Sequence, residues 1–317
     1  MAVILRILVV FLKIGMAFVP EQKYVDKIRN IPDMDTKNKG FNLQGWDYRK
    51  LESPTGKFIH HYYYYPSSKA DAPVFLLFHG LNLDGRTFLN LRKLSENYQL
   101  IAYDLPEKTD LYKGDFADFM IMVNEFVDLM EIRDCNVCGV SFGGSIALRL
   151  AVSRPDIKVR NLVLASTAII GTTKSEQRER RRMSEWLKKQ PDYKLYWFME
   201  KVFERSARNY DDADTGRAVI EILRVKNPAF YRQVGVSMGT YDAREDAQKL
   251  ACPVLWMLGD KDNLFSRKQL RKINTYVPHA RIEVIHGGTH AMVLTRGEEI
   301  ADKMQEFFSK TDSLNAK

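Results

Sequence analysis

Gly139-Val140-Ser141-Phe142-Gly143 limits what this chain can fold into more than any other stretch. The run Asn136-Val137-Cys138 before it reads as the end of a buried strand, and Gly144 to Val152 after it as the start of a helix. A serine at so sharp a strand-to-helix turn has its hydroxyl pushed out to solvent on a strained backbone. Glycine two residues either side lets helix and strand pack closely. That geometry suits a nucleophile, but a tight turn in a sandwich or a dinucleotide-binding fold would show the same five residues.

A serine hydroxyl is a poor nucleophile until a base takes its proton, and the base needs a third group to hold its tautomer. Downstream, the strand-like run Pro253 to Leu258 ends in Gly259-Asp260-Lys261-Asp262, and Ile282 to Ile285 ends in His286-Gly287-Gly288-Thr289-His290. Upstream, Val74 to Phe78 ends in His79-Gly80-Leu81-Asn82. Each polar group thus stands at the carboxyl end of a predicted strand, the edge where open α/β sheets place their sites. Two acids and two bases compete. Asp260 reads as a cap of its own turn. His286 lies at a strand end, whereas His290 follows two glycines that let its loop reach back over the sheet.

Through these four separated motifs, in the order serine, aspartate, histidine, the chain resembles the α/β-hydrolase superfamily, in its serine-nucleophile branch of esterases and lipases. The resemblance spans roughly residues 45 to 310. It implies an α/β fold with a mostly parallel central sheet flanked by helices and a helical cap inserted after the sixth strand, Leu162 to Ala165. It also implies Ser141 as nucleophile, Asp262 rather than Asp260 as acid, and His290 rather than His286 as base. The backbone N–H groups of Leu81 and Phe142 match the oxyanion-hole positions, with His79, Gly80, Gly139 and Gly143 supporting the motifs and the His79 ring bracing the loop. Serine at the elbow separates the chain from relatives that use aspartate there. One departure stands out: of a glycine-rich turn common after the second core strand, Asp104-Leu105-Pro106-Glu107-Lys108-Thr109 keeps only the Asp-x-Pro start.

The other reactive residues read as structural. His60, His61 and His279 are expected on the surface or in loops, and Tyr62 to Tyr65 as a strand whose alternate rings pack on the core. Cys135 and Cys138 have C-x-x-C spacing, but residues three apart in a strand face opposite ways and cannot share a ligand. Buried packing is expected of both, and Cys252 has no partner. No metal and no organic cofactor is required.

The 317 residues, 45% of them apolar, suffice for one large α/β core. The expected organisation is an apolar N-terminal helix over 1–20, a linker over 21–44, a core over 45–171 and 246–310, a cap over 172–245 and a flexible tail over 311–317. The cap is helical in pattern over Gln177 to Lys189, Tyr193 to Ser206 and Asp214 to Lys226, with Pro191 and Pro228 as breaks. Its apolar residues, such as Trp186, Leu195, Trp197 and Ile222, pack on the core or line an acyl pocket. Met1 to Pro20 is interrupted only by Arg6 and Lys13, which fall about 20° apart on a helix. A surface-lying or spanning membrane anchor is the leading reading; a cleaved signal peptide and a helix docked on the protein itself are the alternatives.

The net charge of +8 gathers in part on Lys174 to Lys189 of the cap, either as a solvated face or as a contact for anionic lipid. No groove-reading motif accompanies it, so nucleic acid is not an expected partner. Basic residues after the apolar segment favour a cytoplasmic catalytic domain if it spans, with secretion or a periplasmic site as alternatives. Together these features predict a membrane-associated serine hydrolase that cleaves a carboxylic ester, with a lipid-derived acyl ester as the expected class, through an acyl-enzyme on Ser141. Carbon–carbon (β-diketone) or amide hydrolysis by the same triad, or a non-catalytic ligand-binding role, are the alternatives.

Overall fold

The computed structural model describes residues 15–30, 43–81, 83–105, 116–169, 174–207, 232, 241–262 and 267–315. They form two compact units. One comprises Leu43–Pro106, Met120–Ile170 and Asp242–Lys317; the other Met1–Asn42, Glu107–Phe119 and Gly171–Tyr241.

The larger unit holds one eight-stranded sheet built from β1 (Asp47–Glu52), β2 (Ile59–Tyr65), β3 (Val74–Phe78), β4 (Gln99–Asp104), β5 (Asp134–Val140), β6 (Lys158–Ala165), β7 (Val254–Gly259) and β8 (Arg281–Ile285). Their order is β1-β2-β4-β3-β5-β6-β7-β8. β2 runs antiparallel to β1 and to β4, and every pairing from β4 onward is parallel. The inner strands β3 and β7 are nearly continuous apolar runs, and β5 and β6 become so toward their carboxyl ends, because a parallel strand is covered on both faces. β1, at one edge, instead reads Asp-Tyr-Arg-Lys-Leu-Glu and is mostly exposed, a charged edge that discourages pairing with another chain.

Helix Phe116–Leu129 sends Phe126 onto one face of the sheet, where its ring meets His60, Tyr62 and Tyr103. The other face carries Tyr63, Phe75, Leu77, Leu100, Cys138, Val163 and Met257, packed with Phe88 and Leu91 of the 3-10 run Gly85–Glu96 and with Ile300, Met304 and Phe308 of helix Gly297–Asn315. Burial of each such large side chain contributes about 1.5–3 kcal/mol.

Three expectations change here. Tyr62 to Tyr65 is a strand, but Tyr62 and Tyr63 are both buried, since helices cover both faces of β2. His60 is not at the surface: it is fully buried, with Tyr103 Oη 2.7 Å from Nδ1 and Glu125 Oε1 3.0 Å from Nε2. An ionised Glu125 takes the Nε2–H, which leaves Nδ1 to accept from the Tyr103 hydroxyl. His61 is partly covered, 2.7 Å from the Tyr48 hydroxyl, whereas His279 is exposed. The chain end is also not a tail up to Asn315. Its helix continues because Thr311 is buried and donates to Asn161 Oδ1 at 2.7 Å, and Asn161 donates to Asn136 of β5 at 2.9 Å.

In the smaller unit, helices Glu21–Arg29, Lys174–Lys188 and Asp192–Ala207 are described. Two of the three helices expected after β6 therefore form, and the third, Asp214 to Lys226, lies outside the described residues. The region expected as a linker contains helix Glu21–Arg29, ordered by one anchor. Tyr24 is buried beside Tyr196, and its hydroxyl donates to Glu200 Oε2 at 2.9 Å while Lys27 pairs with the same carboxylate. Met16 is buried too, and Gly15 lies so close to Trp197 that a Cβ there would stand 2.8 Å from the indole. Phe18, two residues after Met16, is 83% exposed. Residues 1–14, with Arg6 and Lys13, fall outside the described residues. Among the described residues no helix is long and apolar enough to cross a membrane.

Candidate active site

β5 ends in Val140, and helix Phe142–Ser153 begins two residues later, so Ser141 alone makes the turn. Its backbone sits at φ 53°, ψ −112°, which an L-residue adopts only under strain. The strain is held from three sides. Ser141 N–H donates to Ala165 O at 2.9 Å, its carbonyl accepts from Gly144 N–H at 3.1 Å, and the Thr167 hydroxyl also reaches that carbonyl at 3.4 Å. The glycines are a packing requirement. A Cβ on Gly139 would stand 2.3 Å from Gly143 O, and one on Gly143 would stand 2.1 Å from Phe78 O, backbone that cannot yield.

β7 and β8 end side by side, and the loops that follow are pressed together. A Cβ on Gly259 would stand 2.1 Å from Gly288 O, while Lys261 N–H donates to that same carbonyl at 3.0 Å. Asp262 N–H closes its turn on Gly259 O at 3.1 Å. The Asp262 side chain is fully buried, and its two oxygens lie 3.0 and 2.9 Å from His290 Nδ1. His290 Nε2 lies 3.1 Å from Ser141 Oγ. Three residues spread over about half the sequence are thus joined in one serine–histidine–aspartate line.

The two rivals form a pair of their own. Asp260 accepts from Gly287 N–H at 2.7 Å through Oδ1 and meets His286 Nδ1 at 2.7 Å through Oδ2, on a histidine whose side chain is 99% exposed. Asp260 thus caps the opposite turn.

The loop after β3 passes beside Ser141: a Cβ on Gly80 would stand 3.4 Å from Ser141 Cβ. Leu81 follows in the turn, and Phe142 is the first residue of its helix, so the loop and the helix N-terminus bearing these two N–H groups flank the serine. The His79 ring is buried and ties the loop to β4. Leu105 N–H donates to Nε2 at 3.0 Å, so the proton sits on Nδ1, 2.8 Å from Gly80 O.

A second tie lies outside what the motifs announce: Asp104 Oδ1 accepts from Gly85 N–H at 2.5 Å. The loop from His79 to Gly85 is therefore gripped at both ends by the last residue of β4 and its successor. Asp104 belongs to the Asp-x-Pro remnant, whose later residues Pro106 to Thr109 lie outside the described ones. Asp84 and Arg86 complete the loop as a buried ion pair at 2.8 Å. Burial opposes the Arg86 charge, but the Asp84 carboxylate more than offsets it and lifts the guanidinium above its ordinary pKa. Neighbouring Tyr63 is raised as well, first by burial and then by Asp104 and Asp84.

The cysteines stand apart from this chemistry. Cys135 and Cys138 are buried and unpaired, and burial pushes the Cys135 thiol up to about 12 and Cys138 higher still. Cys252 rises to about 11 for the same reason. Thiols kept protonated in this way are inert as nucleophiles and poor metal ligands. Among the described residues no group of three His, Cys, Asp or Glu side chains is placed to hold a metal ion.

Known proteins share this arrangement of elements. The chain is 25% identical over 256 residues to the pimeloyl-[acyl-carrier protein] methyl ester esterase of Xanthomonas campestris pv. campestris, covering 74% of this chain and 94% of that one. It is 24% identical over 252 residues to the poly(3-hydroxyalkanoate) depolymerase of Ectopseudomonas oleovorans, covering 74% and 84%. Among solved structures, a bacterial membrane phospholipase A has the same fold at a TM-score of 0.65 and 18% identity, over 96% of this chain and 97% of that one. The alpha/beta hydrolase family model matches residues 75–303, most of the chain, and the chain belongs to that family.

Proposed function

We propose that this protein is a serine hydrolase that cleaves a carboxylic ester through an acyl-enzyme on Ser141. The observation that carries the proposal is the continuous line from Ser141 Oγ to His290 Nε2 at 3.1 Å and from His290 Nδ1 to Asp262 at 2.9 Å. Ser141 Oγ attacks the ester carbonyl carbon as its proton passes to His290 Nε2. Asp262 holds the imidazole with Nδ1 protonated and stabilises the imidazolium. The negative charge on the former carbonyl oxygen is met by the N–H groups of Leu81 and Phe142, the second strengthened by the helix terminus to which it belongs. The tetrahedral intermediate collapses, the C–O bond to the alcohol breaks, and the alcohol leaves with the proton from His290. Water then repeats the sequence with His290 as base, freeing the acid and restoring the serine.

The substrate class we propose is a lipid-derived acyl ester, with the protein held at a membrane by residues 1–20 and its catalytic core cytoplasmic. The apolar N-terminal segment supports this reading. So does the fold likeness to a membrane phospholipase A over nearly the whole chain. Two curated relatives named as a methyl ester esterase and a polyester depolymerase support ester chemistry.

The test is labelling with a fluorophosphonate probe. Native protein should label and Ser141→Ala should not; a folded native protein that stays unlabelled with detergent or lipid present sinks the proposal. A panel of esters of increasing chain length, amides and β-diketones then fixes the substrate class. Deletion of residues 1–19 should move the protein to the soluble fraction with ester turnover retained, and persistence in washed membranes refutes the anchor.

A further inference from the structure

Between residues 174 and 189 the chain carries seven basic and three acidic residues. Within and just past helix Lys174–Lys188, Arg178, Arg181, Arg182 and Lys189 fall within about 100° of one another. All four are exposed, and among the described residues Arg178, Arg181 and Lys189 make no ion pair. Ser184 is buried and Met183, Trp186 and Leu187 are partly covered, so the helix turns an apolar side inward and a cationic side outward. A run of charge is ordinarily a solvated face. Here the same compact unit carries helix Glu21–Arg29, fixed to helix Asp192–Ala207 through Tyr24 and Glu200, and Phe18, within the apolar sequence run 1–20, stands almost fully in solvent.

We infer that the outer face of helix Lys174–Lys188 docks on an anionic lipid surface, with Arg178, Arg181 and Arg182 contacting headgroup phosphates. Where the apolar segment lies in the membrane surface, a basic patch on the same body supplies the second signal that stable binding needs. An acidic protein would satisfy the arginines but would leave Phe18 and the apolar segment without a role, which is why the lipid is the occupant the unit fits. The inference rests on the proposal that this protein works at a membrane.

The experiment uses the full chain, phosphatidylcholine vesicles, and vesicles in which a third of the lipid is phosphatidylglycerol. Native protein should partition more strongly to the anionic vesicles, and the difference should shrink as salt is raised. The triple variant Arg178→Gln, Arg181→Gln, Arg182→Gln should lose roughly a hundredfold of the anionic partition, about fivefold per charge near the surface. Its binding to neutral vesicles and its turnover of a soluble short-chain ester should be unchanged. The corresponding triple Arg→Lys variant should keep the anionic partition, which separates lost charge from a damaged helix. Equal native binding to both vesicles, or full anionic preference in the Gln variant, overturns the docking face. Native protein that binds neither vesicle overturns the membrane reading beneath it. Capture by an acidic protein in place of anionic vesicles assigns the face to a different partner and overturns the inference.

Discussion

Ser141 should be replaceable by glycine with less loss of stability than by alanine, and with activity lost in both variants. Its φ of 53° with ψ of −112° is a conformation that costs a side-chain-bearing residue about 1–3 kcal/mol. Alanine keeps the Cβ and therefore the strain; glycine removes it. Both lose the Oγ contact to His290 equally, so the pair isolates the backbone term. Glycine also loosens the unfolded chain, at about 0.5–1 kcal/mol. The net expectation is that Ser141→Gly is more stable than Ser141→Ala by about 1–2 kcal/mol. In thermal melts followed by circular dichroism this is roughly 2–8 °C in Tm, at about 2–4 °C per kcal/mol. Neither variant should turn over ester. A Gly variant that melts at or below the Ala variant refutes the argument, because the turn would then not be holding its serine against a backbone preference.

Gly143→Ala drives a methyl to 2.1 Å from Phe78 O and should cost at least about 3 kcal/mol, read as a drop in the denaturant midpoint. Asp262→Asn should lower kcat about 10⁴-fold by releasing the His290 tautomer, whereas Asp260→Asn, on the rival pair, should leave kcat at the native value. For His60, burial lowers the pKa and outweighs the raising effect of Glu125, so the unfolded chain takes up the proton more readily than the folded one. Stability should therefore be full above about pH 6.5 and fall as pH drops below it, by at most about 1.4 kcal/mol per pH unit. His60→Gln should flatten that slope in urea titrations between neutral and mildly acid pH, and an unchanged slope refutes the assignment.

The elbow was legible because its requirement is local: a strand, a serine and glycines where backbones touch leave a five-residue imprint. The loops bearing Asp262 and His290 are legible for a related reason, since both follow apolar runs that parallel strands demand, whereas Asp262 is told from Asp260 only by the family resemblance. What the chain concealed is long-range covering. His60 sits in a polar-looking run, and only helix Phe116–Leu129 lying across β2 makes it a buried residue. Thr311 sits in a polar end that looks frayed, and the Asn161 and Asn136 side chains that hold it lie some 150 to 175 positions away. Helix Glu21–Arg29 was hidden likewise: its few apolar residues look insufficient until Tyr24 meets Glu200 and Tyr196. Gly144 and Thr167 carry no sequence signal, for the opposite reason. A Cβ on Gly144 would stand 2.0 Å from Thr167 Oγ1, but neither residue belongs to a recognisable pattern.

The contact of Gly259 with Gly288 divides the candidate machinery unequally. Acid and base ride on loops welded backbone to backbone, so any displacement of one carries the other with it, and their mutual alignment survives distortions of the sheet. Ser141 arrives from two strands away and shares no such joint. The distance that substrate binding, a remote mutation or a shift of β5 can retune is therefore the one between serine and imidazole. Drift in this protein should accordingly show first in the rate of serine attack, and only later in the alignment of the histidine with its aspartate.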